Sequence, residues 1–79
     1  MNPTEERITE LLVSQFKVAR ELIEAGVTFS ELKFDSLVLV ELSLLLANAF
    51  EVPVADDELT GEMTVAAAAE LIAAKQATR

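Results

Sequence analysis

Apolar residues recur at helical spacing over most of this chain. From Pro3 onward, Ile8, Leu11, Leu12, Gln15 and Phe16 follow the three-and-four rhythm of one helix face. Proline suits a first helical position, and Glu5 and Glu6 make an acidic first turn, so a helix should begin here. Ala19, Leu22 and Ile23 extend the stripe as far as Gly26, and periodicity favours one long helix. The alternative is a stop near Phe16, with a short turn over 20–24 inside a loop. Residues 26–35 have no long period and read as a loop, pinned to the core by Phe29, Leu32 and Phe34. A helix from Ser36 to Phe50 follows, capped by Asp35 or Ser36. Val52-Pro53-Val54 ends it, because proline turns its predecessor away from helical geometry.

Asp56-Asp57-Glu58-Leu59 predicts a short helix over 56–61, closed by Gly61. Thr64 should cap a last helix over 65–75, with Val65, Ala68, Ala69 and Ile72 on one face. No repeat or linker interrupts the chain. The expected fold is all-α: one domain over 1–79, a small up-down bundle of three main helices and one short helix.

Winding 37–50 on a wheel separates two faces. Leu39, Leu42, Leu46 and Phe50 gather on one and should meet the core. Leu37, Glu41, Leu44, Leu45 and Asn48 gather on the other, which is unusually apolar for a solvent face. Two readings stand: a surface on which a partner docks, or a surface covered by another helix.

Composition supports helices and removes most chemistry. Leu, Ala and Glu abound, whereas two glycines and two prolines are too few for a many-stranded protein. At 52% hydrophobic residues, the 79-residue chain can build a core. A net charge of −8 argues against nucleic acid as a partner. No basic residue lies between Lys33 and Lys75, while Glu41, Glu51, Asp56, Asp57, Glu58, Glu62 and Glu70 do. A partner touching this half should present positive charge, unless the acidity serves solubility alone. With no Cys and no His, the chain has no disulfide, no thiolate and no imidazole base. The N-terminal residues have no signal-peptide pattern. The 37–50 stretch is too short to span a bilayer and contains Glu41, Ser43 and Asn48. A cytoplasmic monomer with no membrane partner is expected.

What remains is Ser36. Lys33 is the only nearby base, and Asp56-Asp57-Glu58 reads as an acidic helix start rather than a cation site. The chain is therefore not expected to be an enzyme. On geometry alone Ser36 is either a capping residue or an acceptor modified by another protein.

The segment Phe34-Asp35-Ser36-Leu37-Val38-Leu39-Val40-Glu41-Leu42, followed by Phe50-Glu51-Val52-Pro53, resembles the attachment region of acyl carrier proteins and their peptidyl carrier relatives. The likeness spans the chain: Glu5-Glu6-Arg7-Ile8 in the first helix, Phe29 and Leu32 in the loop, Thr64-Val65 opening the last helix. The resemblance implies that Ser36 receives 4′-phosphopantetheine from coenzyme A through a phosphopantetheinyl transferase. It implies further partners, namely acyl- or aminoacyl-loading enzymes and the synthase or tailoring enzymes of a pathway. Asp35, Leu37 and Glu41 match partner-contacting positions, and Val38, Leu44 and Leu45 extend that surface. Leu46, Phe50, Val54, Leu59, Ala68 and Leu71 would line a shelter for an acyl chain. The first helix should end near Phe16–Arg20, within an expected span of 4–18, with a turn over 20–23 and a loop over 19–35.

The sequence also departs from the family pattern. Lys33 stands where the family commonly has glycine two residues before the Asp, and Glu51 replaces the usual glycine after Phe50. Val38, Ala47 and Asn48 occupy positions often acidic in fatty-acid carriers. These departures point to a discrete acyl carrier of a specialised biosynthetic pathway, handling acyl or polyketide groups. The alternatives are a stand-alone peptidyl carrier, an unmodified helical adaptor, or an acidic protein phosphorylated at Ser36.

Overall fold

A computed structural model describes residues 2–78; the two end residues of the expected 1–79 domain lie outside them. Four helices run along the chain: α1 (Pro3–Phe16), α2 (Arg20–Glu24), α3 (Ser36–Phe50) and α4 (Val65–Ala77). The fold is the small all-α bundle expected, with α1 packed on α4. Its shared core takes Ile8 and Leu12 from α1, Ile23 from α2, Leu39, Leu42 and Leu46 from α3, and Val65, Ala68, Ala69 and Ile72 from α4. Two fully buried hydroxyls are satisfied inside their own helices: Thr9 donates to the Glu5 carbonyl and Ser43 to the Leu39 carbonyl, at 2.8 and 2.9 Å. No helix among the described residues is long and apolar enough to cross a membrane.

The helix starts follow their capping chemistry. The Asn2 side chain accepts the Glu5 amide at 2.8 Å, with Pro3 opening α1. Thr64 accepts the Ala67 amide at 3.2 Å and opens α4, which runs two residues beyond the expected span. The first helix stops at Phe16, because Lys17 adopts the left-handed conformation, φ 59°. The chain then forms a helix over Arg20–Glu24 where a turn was expected. Its start, Ala19, makes no side-chain cap. Other contacts replace one: Arg20 pairs with Glu6 of α1 and, within α2, with Glu24 at 3.4 Å, and Ile23 is buried. The hydrogen bond to Glu6, more than the accompanying charge attraction, holds the Arg20 pKa above its ordinary value.

The short helix expected over 56–61 does not form. The Glu58 amide meets the Ala55 carbonyl at 3.1 Å, while the Glu58 carboxylate returns to the Ala55 amide at 2.7 Å and reaches Lys75 at 2.8 Å. The side chain closes one turn on itself and anchors it to α4, leaving no helix to propagate. The one short helix of the bundle thus lies before α3, not after it.

The loop ahead of α3 is tightly held. Thr28 and Glu31 exchange side-chain-to-amide hydrogen bonds at 2.8 and 3.2 Å, a capping box that leads into turns rather than a helix. The Phe29 amide bonds the Met63 carbonyl and the Ser30 amide bonds the Gly61 carbonyl, both at 2.9 Å. Phe34 then lies between Phe16 (centroids 5.5 Å, tilted) and Phe29 (5.8 Å, stacked). Phe29 is fully buried and Leu32 and Phe34 half-buried, as the pinning of this loop required. The residue after Phe34 is Asp35, so an aromatic stack fixes the entry to α3.

Candidate functional site

The Asp35 backbone is extended, and its side chain accepts the Val38 amide at 3.0 Å, while its carbonyl accepts the Leu39 amide at 3.0 Å. Asp35 is therefore the cap and Ser36 the first helical residue, which resolves the choice left open by the sequence. The first amides of any helix have no partner within it. Here the Val38 amide is taken by Asp35, and those of Ser36 and Leu37 meet no acceptor among the described residues. An exposed hydroxyl thus stands at the positive end of a fifteen-residue helix beside two unspent donors. An anion here gains about 0.3–1 kcal/mol from the helix end.

The other serines are placed differently. Ser43 is fully buried. Ser14 lies toward the C-terminal end of α1, where the dipole repels an anion, and donates to the Leu11 carbonyl at 3.4 Å. Ser30 sits in the loop turn against Gly61.

On α3, Leu37 and Leu44 are 67% and 58% exposed, with Glu41 and Asn48 exposed along the same face. Glu41 is the helix's only charged residue. No neighbouring helix covers Leu37 and Leu44. Leu45 belongs elsewhere: it is half-buried and packs on the core, and Val38 is half-buried too. The six residues expected to shelter an acyl chain come together in the core. Leu46, Leu59 and Ala68 are buried, with Phe50, Val54 and Leu71 packed against them. Only Phe50 also lines an open cleft of about 440 Å³, where the Arg7 guanidinium lies 5.8 Å from its ring centroid.

Sequence reasoning did not foresee the backbone at the two positions where the family prefers glycine. Lys33 has φ 68° and Glu51 φ 57°, both left-handed, a region costing a side-chain-bearing residue about 1–2 kcal/mol. Glu51 ends α3, with the Val52 amide returning to the Ala47 carbonyl at 3.2 Å. The signal was present in the two departures from glycine, which mark backbone positions rather than side-chain roles.

The described residues form a small helical bundle with an exposed serine at the start of α3. The chain matches the family model described as the phosphopantetheine attachment site over residues 6–72. It belongs to that family. Its prosthetic group is 4′-phosphopantetheine and it is a non-catalytic carrier; carriers of this family in general work with a phosphopantetheinyl transferase and acyl-handling enzymes. The residues at the start of α3 suit that group: a reachable hydroxyl to esterify, and unspent amides with a helix dipole for its phosphate.

Proposed function

We propose that Ser36 is the attachment residue, and that the chain carries acyl or polyketide intermediates as thioesters in a specialised biosynthetic pathway. The observation that carries this reading is the contrast among the four serines. Ser36 stands at a helix N-terminus, whereas Ser43 is buried, and Ser14 and Ser30, although exposed, lie near a helix C-terminus and in a loop turn.

The Ser36 hydroxyl attacks the phosphorus of coenzyme A nearer the pantetheine. The P–O bond to the adenosine side breaks, and 3′,5′-ADP leaves. The hydroxyl proton passes to a base of the transferase, since this chain has no histidine to take it. Once attached, the group supplies a terminal thiol that holds cargo as a thioester and presents it to partners at high effective concentration. Phe34 and Asp35 orient Ser36, and the amides of Ser36 and Leu37 would be available to hold the phosphate of the arm.

Partners dock on Asp35, Leu37, Val38, Glu41 and Leu44, with the exposed edge of Leu45 at the margin. Leu46, Phe50, Val54, Leu59, Ala68 and Leu71 all belong to the apolar core, and a hydrocarbon cargo that parted them would gain about 25 cal/mol per Å² of apolar surface buried. Intact-mass measurement after incubation with coenzyme A and a broad-specificity transferase tests attachment. Loading the product with acyl and with aminoacyl donors then tests cargo. The reading expects one phosphopantetheinyl addition, lost in Ser36→Ala, followed by acyl thioesters. Aminoacyl thioesters alone would overturn the acyl assignment.

A further inference from the structure

Lys33 occupies a conformation that side-chain-bearing residues rarely adopt, three residues before Ser36. The turn needs that backbone, since the Lys33 amide bonds the Ser30 carbonyl at 2.9 Å, but it does not need a lysine. Glycine would hold the same φ without strain. The Lys33 side chain is exposed, and no carboxylate lies within 4 Å of its ammonium among the described residues. It is also the only basic residue between Arg20 and Lys75, in a chain of net charge −8.

Esterification of Ser36 adds a phosphodiester anion to this acidic surface, beside the Asp35 carboxylate. We infer that Lys33 is a binding residue for that phosphodiester: its ammonium pairs with the phosphate on Ser36 and holds the root of the arm against the start of α3. The backbone path from Lys33 to Ser36 is at most about 11 Å. A four-carbon lysine stem reaches across that distance to a phosphate hanging from the serine. The strained lysine then has a purpose that an unstrained glycine could not serve. This inference rests on Ser36 being the attachment residue.

The test compares thermal midpoints of the unmodified and phosphopantetheinyl forms of the wild type, Lys33→Gly and Lys33→Met, each loaded to completion. Lys33→Gly relieves the backbone in both forms, so its effect on the fold cancels in the difference; Lys33→Met keeps the stem and removes the charge. The wild-type loaded form should melt about 2–4 °C above the unmodified form at low salt, the gap shrinking as salt is raised. Both variants should lose at least half of that gap. Equal, salt-independent gaps in all three proteins would overturn the role of Lys33 while leaving attachment intact. A wild type that takes no adduct on Ser36 would overturn both.

Discussion

Lys75 Nζ lies 2.8 Å from Glu58 Oε2, tying the loop after α3 to the last turns of α4. The partner oxygen of that carboxylate takes the Ala55 amide. The hydrogen bond from Lys75, and then that from Ala55, holds the Glu58 pKa below its ordinary value of 4.5. A depressed carboxylate stabilises the fold fully above its unfolded value and loses that contribution as pH falls through the folded one. Lys75→Met should therefore melt lower than the wild type near neutral pH, with the gap closing below about pH 4. Melting curves across that range check this; a gap independent of pH would contradict it.

Asp35 caps α3 through its side chain, and one substitution can separate that cap from its charge. Asp35→Ala removes the cap on Val38 and should cost about 0.5–2 kcal/mol in chemical denaturation. Asp35→Asn retains an acceptor oxygen and should stay within about 0.5 kcal/mol of the wild type. If the carboxylate also meets partners, Asp35→Asn will slow phosphopantetheinyl transfer several-fold at unchanged stability.

The α3 surface makes a different demand. Leu44 is mostly exposed, so Leu44→Glu should change stability by less than about 0.5 kcal/mol. It should nevertheless lower acyl loading at least tenfold if partners seat on this face. With Glu41 the only charge on the helix, loading should also depend weakly on salt. Loading kinetics across an ionic-strength series measure both effects.

Gly61 holds the loop that delivers Phe34 and Asp35 to the site. A methyl at Gly61 would overlap the Ser30 hydroxyl, and the two backbones are joined at 2.9 Å. Gly61→Ala should destabilise by about 1 kcal/mol, and the double variant with Ser30→Ala should recover much of that loss. Additive effects in denaturant titrations would contradict the contact.

Much of this was legible in the chain because local chemistry and tertiary packing agreed. Both bounds of α3, the Thr64 cap and the buried face of α4 followed from spacing and capping residues. The short helix was misplaced because its evidence is not local. Arg20–Glu24 lacks a capping side chain and is held by Glu6, fourteen residues away, and by burial of Ile23. Asp56-Asp57-Glu58 has a helix-start composition, but Glu58 spends its carboxylate on Ala55 and Lys75. Leu45 went astray on the wheel for a similar reason: the core wraps far enough around α3 to reach it. At the site, the start of α3 at Asp35-Ser36 could be read from the sequence. The left-handed backbone of Lys33 was marked only indirectly, by a lysine where such a turn ordinarily carries glycine.

The central claim is that one serine of four carries the arm. Peptide mapping with fragmentation across all four serines, after transfer from coenzyme A, decides between them. The whole phosphopantetheinyl mass should lie on Ser36, with none on Ser14, Ser30 or Ser43 and no adduct in Ser36→Ala. Modification of another residue, or an adduct that persists in Ser36→Ala, would contradict it.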